Sequence, residues 1–372
     1  MKRLLTGMTV GLALFALTAC GGRKQTVTES GPRTPAQEML SRLQTLQDKG
    51  LTAFGHHDDT AYGRYWEYMP DSSDVKTVCG DYPAVMNWDL GWIETGSDKQ
   101  LDGVPFEFIK KEIVKQDARG GMNSLSWHLR NPLTGGDSWD NANDSTLAVV
   151  MRDKALTDTL RKWVGMTADF IGSLRDKDGK RIPVMWRPWH EHTGEWFWWG
   201  INHGTPEDFK NLWKLTREVF DERKIDNVVW VYSPDKSNVN GYEDYMERYP
   251  GDEYVDVMGA DIYYFDEPDT DRIFTERVEK TLGSAVRAAK ERGKIAALSE
   301  TGFEGLPSTD WYMTRLMPVL EKYPVAFVTL WRNSNNKPNH WYTPYPGHPG
   351  VEDFKAFHKN PRTVFCKEMK NL

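Results

Sequence analysis

Short runs rich in Val, Ile, Ala and aromatic residues recur along the chain, each closing in polar or aromatic residues. They cover Leu51–His57, Pro83–Asp89, Gly121–His128, Ile182–Glu191, Val228–Ser233, Val255–Tyr263, Lys294–Glu300 and Val325–Arg332. Several are continuously apolar, the pattern of strands buried on both faces of a parallel sheet. Between them the period changes to that of amphipathic helices, over Thr34–Lys49, Val104–Asp117, Asn143–Arg175, Pro206–Arg223, Arg272–Arg292 and Asp310–Lys322. Leu40, Leu43 and Leu46 carry the helical spacing of the first. Pro206 ahead of Glu207 and Asp208 is a helix start, and Gly293 after Arg292 is a helix stop. Strand and helix alternating in this way eight times predicts a single-domain (β/α)8 TIM barrel. The rival, an open doubly wound sheet, favours a Gly-rich phosphate loop after an early strand, and neither a G-x-G-x-x-G nor a Walker pattern is present.

The N-terminus breaks this pattern. Lys2 and Arg3 precede an apolar stretch from Leu4 to Leu17 that is short for a membrane span, and Leu17-Thr18-Ala19-Cys20 resembles a bacterial lipobox. Residues 1–19 are expected to be a lipoprotein signal peptide, with Cys20 the lipidated first residue of the mature chain; a plain secreted protein is the alternative. Residues 20–35 then form a polar tether and 36–372 the barrel. The tether opens Gly21-Gly22-Arg23-Lys24, without an acidic run, which favours a lipid-anchored protein facing the periplasm over one at the cell surface. The remaining Cys79 and Cys366 either pair as one disulfide or stay as buried thiols.

Composition narrows the function. The net charge is −7 and no basic run is interleaved with aromatics, which argues against nucleic acid as a partner. The chain carries 16 Trp in 372 residues, about three times ordinary usage. A surplus of flat apolar faces fits ligand stacking. By their positions, Trp186 and Trp189 in the fourth strand run and Trp163 and Trp213 on helices are packing residues, whereas the Trp196-Phe197-Trp198-Trp199 cluster must turn at least one ring to solvent.

The strand exits hold the candidate chemistry. The fourth run ends Trp186-Arg187-Pro188-Trp189-His190-Glu191-His192, and the seventh ends Ser299-Glu300-Thr301-Gly302. A carboxylate at the rim of an apolar core needs a partner or a task. Two Glu facing one another across a barrel mouth can cleave a glycosidic bond, one as general acid and the other as nucleophile or base. The structural alternative is that they pair with Arg187 or Arg332. A metal site built from His56, His57, Asp58, His128 and His190 matches no ligand motif, because His190 and His192 stand two residues apart and share no helical face. The loops Asp89–Asp102 and Asn333–His348 are candidate cleft walls.

Taken with Phe54-Gly55-His56-His57-Asp58, Trp127-His128, Asp261-Ile262-Tyr263 and Leu330-Trp331-Arg332-Asn333, these segments resemble glycoside hydrolase family 26, the retaining (β/α)8 barrels of β-mannanase type. The resemblance runs from the first strand to the eighth. It implies Glu191 as acid/base and Glu300 as nucleophile, about 5–5.5 Å apart. It implies Tyr263 as the hydrogen-bond donor to the nucleophile, with Asp261 in support. His190 stands where much of the wider superfamily has Asn and is implied to touch the sugar at the cleavage point. His128 and Trp331 are implied as sugar contacts on the non-reducing side, Arg332 as a hydroxyl donor one sugar further out, and Trp196 as a platform on the other side. Trp198, Trp199 and Trp341 are weaker stacking candidates. The implied substrate is β-mannan, glucomannan or galactomannan, cut internally or with release of mannobiose, by a monomer without a cofactor. A same-family hydrolase of xylan or mixed-linkage glucan, or a glycan-binding lipoprotein that does no chemistry, are the alternatives.

Overall fold

The computed structural model describes residues 33–372; the expected signal peptide, Cys20 and most of the expected tether lie outside the described residues. Eight parallel strands follow one another around a closed sheet: β1 (Thr52–His57), β2 (Val85–Asp89), β3 (Met122–Ser126), β4 (Val184–Arg187), β5 (Val228–Tyr232), β6 (Val257–Tyr264), β7 (Ile295–Phe303) and β8 (Phe327–Leu330). Pairing of β1 with β8, Ala53 opposite Phe327 through His56 opposite Leu330, closes the barrel. A two-residue strand, Thr363–Val364, adds to the lower end of β1. The continuous apolar runs are explained by this closure, since residues on both faces of the strands are buried.

Helix ends follow local chemistry. Helix α1 (Pro35–Asp48) starts at a Thr34–Gln37 capping box with Pro at its first turn, and buries Met39, Leu43 and Leu46. Helices α2 (Asp74–Cys79) and α3 (Phe106–Ala118) follow β1 and β2. The expected helix over Asn143–Arg175 is instead two, α4 (Thr146–Arg152) and α5 (Lys154–Ser173). The Asp153 carboxylate accepts from the Ala155 and Leu156 amides, so a cap inside an otherwise periodic stretch restarts the helix. Helix α6 (Pro206–Glu222) again carries a capping box, from Thr205 and Asp208. Helix α7 (Tyr242–Glu247) lies in the β5–β6 connection and α8 (Thr270–Arg292) after β6, ending at Gly293 with φ +62°. The stretch Asp310–Lys322 is a widened π-turn, Tyr312–Leu316, leading into α9 (Met317–Lys322). Pro318 has no amide hydrogen to donate to the preceding turn, which accounts for the irregularity. A last helix, α10 (Val351–His358), packs Phe354 and Phe357 against Phe54 of β1.

Eight of the 16 tryptophans are sealed in the interior: Trp88, Trp127, Trp186, Trp189, Trp198, Trp199, Trp213 and Trp311. This agrees with the reading of Trp186, Trp189 and Trp213, and Trp163 is half-buried against the same core. It removes Trp198 and Trp199 as stacking surfaces. Trp199 is spent on packing with Trp189 and Phe197 and donates its indole N–H to the His190 carbonyl at 2.9 Å. Cys79 and Cys366 are unbonded thiols.

Candidate active site

Strand β4 ends at Arg187, and Glu191 stands four residues beyond it in a tight turn, with φ +54°. A non-Gly residue in that region is held there by its surroundings; the Glu191 amide donates to the Ser233 carbonyl at 2.7 Å. Glu300 lies inside β7, just after a register break. Leu298 pairs with Ala260 and Glu300 with Asp261, so Ser299 is an extra residue, a bulge that turns the Glu300 side chain.

The two carboxyls stand in different settings. Glu300 Oε1 accepts from the Tyr263 hydroxyl at 2.6 Å, and Oε2 accepts from the Arg187 guanidinium. Arg187 is 1% exposed and also donates to Asp261 Oδ2 at 2.6 Å. Burial alone would lower the affinity of this guanidinium for its proton, but the Asp261 and Glu300 carboxylates raise it. The ion pair with Arg187, raised as the structural alternative for a strand-exit glutamate, is therefore present at Glu300, alongside the Tyr263 hydrogen bond. Ser299 Oγ donates to Asp261 Oδ1 at 2.8 Å, and burial together with Glu300 pushes the Asp261 carboxyl up to about 7 although Arg187 opposes it. Asp261 thus supports Glu300 through the shared guanidinium.

Among the described residues Glu191 has no ion-pair partner of its own. Its Oε2 accepts from the indole N–H of half-buried Trp196 at 2.7 Å. Burial first, then the nearby charges of Glu300, Asp235 and Asp261, push the Glu191 carboxyl well above the ordinary range, against Arg187. One carboxyl is thus pushed towards its protonated form while its neighbour is bound by a phenol and a guanidinium, the separation of environments that acid–nucleophile pairs require.

A histidine pair borders them. Asp89 Oδ2 bonds His128 Nδ1 at 2.8 Å, and His128 Nε2 meets His190 Nε2 at 3.2 Å. Burial would raise the Asp89 carboxyl, but His128 and the Ser126 hydroxyl hold it below the usual carboxylate range. Burial and Arg187 push His190 well below the ordinary histidine value. Among the described residues the buried His190 Nδ1 has no hydrogen-bond partner, so one polar atom of the pair is left over beside the two carboxyls.

The expected platforms sit at the rim. Trp331 is half-buried and stacks on His57 at 4.2 Å between ring centroids. Trp341 is braced by Arg64 at 4.8 Å and Tyr345 at 5.6 Å. Arg332 Nη2 donates to Asp102 Oδ1 at 2.6 Å, joining the loops after β2 and β8. His56 is committed to Asp59 at 2.7 Å, and among the described residues no three His, Cys, Asp or Glu side chains converge as metal ligands. One exposed ring was not anticipated. Trp139, 46% exposed in the loop after β3, stacks on His128 with centroids 5.2 Å apart and planes 14° apart. Its run, Asp137-Ser138-Trp139-Asp140, has neither strand nor helix periodicity to mark it.

Asp58 carries a consequence for stability. It is fully buried with φ +53°, accepts from the Tyr62 hydroxyl, and burial together with Asp102 pushes its carboxyl up to about 8. The folded chain keeps this proton up to that pH while the unfolded chain releases it near pH ~4. The folded state therefore binds more protons across the interval, and its stability falls as pH rises through it. Asp58→Asn should flatten the decline in Tm between acid and pH about 8 by several degrees, measured by thermal melts across pH.

A closed parallel barrel with one carboxyl pushed towards its protonated form beside a second that is bound by arginine and tyrosine, both at the C-terminal strand exits, is the arrangement of a glycoside hydrolase. The profile of glycosyl hydrolase family 26 matches residues 28–314, and the chain belongs to that family. Among solved structures, a family 26 β-mannanase from Bacteroides ovatus superposes with a TM-score of 0.85 at 44% identity, over 90% of this chain and 96% of that one. A modular endo-β-1,4-mannanase from Cellulomonas fimi superposes with 0.78 at 31% identity, over 90% and 76%. A mannan endo-1,4-β-mannosidase of Bifidobacterium adolescentis is 28% identical over 94% of this chain, which spans only 36% of that protein's length.

Proposed function

We propose that this protein is a retaining β-1,4-mannan hydrolase, held in the bacterial envelope by lipid on Cys20 and facing the periplasm. The observation that carries the chemistry is the contrast between Glu191 and Glu300, and relatives named as mannanases support the substrate class. Glu191 gives its proton to the glycosidic oxygen as Glu300 attacks the anomeric carbon from the opposite face. The C–O bond to the leaving sugar breaks and a glycosyl ester forms on Glu300. The ester removes the Glu300 charge, which is among the causes that raise the Glu191 pKa, so Glu191 becomes the base that deprotonates water in the second step. Water then displaces Glu300, and the product keeps its anomeric configuration. Tyr263 and Arg187 aim the nucleophile, and Asp261 holds Arg187.

In this reading His128, His190, Trp331 and Arg332 receive the sugars on the non-reducing side, with the unpartnered His190 Nδ1 available for a hydrogen bond to a sugar hydroxyl. Trp196 is the platform for the leaving sugar. Trp139 extends the aromatic wall beside His128. Incubation with galactomannan, glucomannan, xylan and mixed-linkage glucan tests the assignment through the reducing ends released. The mannan-type chains should be cut and the other two left intact; cleavage of xylan or mixed-linkage glucan with mannan untouched would assign a different specificity within the family.

A further inference from the structure

Arg248, the residue that ends α7, is 1% exposed, yet among the described residues every hydrogen bond of its guanidinium goes to a backbone carbonyl. Nη1 donates to the His192 carbonyl and, at 3.3 Å, to that of Trp199; Nη2 donates to Gly200 O at 3.3 Å. The Phe209 ring lies 4.4 Å beneath it. Arg187, the other sealed arginine near the site, has two carboxylate partners. A buried cation without a countercharge is costly, so the contacts that hold this one need an account.

Those contacts lie at the two ends of one loop. His192 directly follows Glu191, and Trp199 and Gly200 close the turn that carries Trp196, whose indole hydrogen-bonds Glu191. The turn is folded tightly: a Cβ at Gly194 would stand 2.3 Å from the Trp196 ring, and one at Gly200 would stand 2.4 Å from the Gly194 carbonyl. Its middle is tied down by single amide donors, Asn238 to the Thr193 carbonyl and Asn141 to that of Glu195, each at 2.9 Å. The Trp199 indole, which donates to the His190 carbonyl at 2.9 Å, ties the two ends from within the loop, and the arginine fork joins them from outside it through three carbonyls. The left-handed backbone of Glu191 needs such support from its surroundings.

We propose that Arg248 is a positioning residue for proton donation: by joining the carbonyls of His192, Trp199 and Gly200 it fixes the loop that sets Trp196 against Glu191. It touches no reacting atom, and its role rests on the reading of Glu191 as the acid. Loosening the loop should harm reactions that need the proton and a seated leaving sugar, and spare those that need neither. The test compares kcat/KM on mannan with kcat/KM on 2,4-dinitrophenyl β-mannobioside, whose leaving group departs unprotonated, for the wild type, Arg248→Met and Arg248→Lys. Arg248→Met should lose about 10- to 100-fold on mannan and stay within about twofold on the aryl substrate. Arg248→Lys, with one ammonium that cannot bridge both ends, should lose less but show the same selectivity, and it decides the matter if the Met variant does not fold. An equal loss on both substrates, or no loss on mannan, would overturn the proposal. Glu191→Ala measured alongside separates the two readings: if it lacks this selectivity, it is the acid assignment that fails.

Discussion

Glu300→Gln will lower kcat on mannan by about 10⁵- to 10⁶-fold, the scale of losing a nucleophile. The amide keeps the volume and can still accept from Tyr263, so the cleft and substrate affinity should survive while the bond-forming oxygen is lost. Truncating one partner of a buried ion pair ordinarily destabilises a protein by about 3–5 kcal/mol. Here Arg187 retains Asp261 at 2.6 Å, so the loss of stability should be smaller and the variant folded. Initial rates on mannan, with circular dichroism and thermal melts as controls, check this. A folded variant within 100-fold of wild type would remove Glu300 from the nucleophile's role.

Glu191→Ala will reduce mannan hydrolysis by about 10²- to 10⁴-fold, the usual range for a general acid. On a dinitrophenyl mannobioside the first step should proceed near the wild-type rate, and the second, which has lost its base, should become limiting, with a burst of phenolate. The pH profile gives a separate sign. Because burial and the Glu300 charge raise the Glu191 pKa, the acid form persists above the ordinary carboxyl range, and wild-type activity falls on the alkaline side as that proton leaves. The residual mannan hydrolysis of Glu191→Ala should lack that alkaline limb. An unchanged limb would assign the proton to another group.

The barrel was legible because its strands are buried on both faces, which writes runs such as Val228-Val229-Trp230-Val231-Tyr232 directly into the chain. The two glutamates were legible because a carboxyl at the exit of such a run has few structural reasons to be there. What escaped depends on pairing between distant segments. The bulge at Ser299 exists only in the register of β7 against β6 and β8, and no residue type announces it. The positive φ of Glu191 follows from the contact of its amide with Ser233, and glycine, the usual marker of that conformation, is absent there. Trp198 and Trp199 read as candidate platforms by their place beside Trp196, but the loop folds back and buries them. Trp139 and Arg248 sit in connections whose pattern is irregular, and their importance comes from His128 and from the carbonyls of residues 192–200. The Trp surplus accordingly serves the core and the cleft alike.

Retention of configuration with Glu191 and Glu300 as the acting pair is the central claim, and the anomer of the first product tests it most directly. Proton NMR in the first minutes of mannopentaose hydrolysis by the wild-type protein should show the new reducing end released as the β anomer, with α appearing later by mutarotation. Release of the α anomer first would contradict the account, because it requires direct attack by water in place of Glu300.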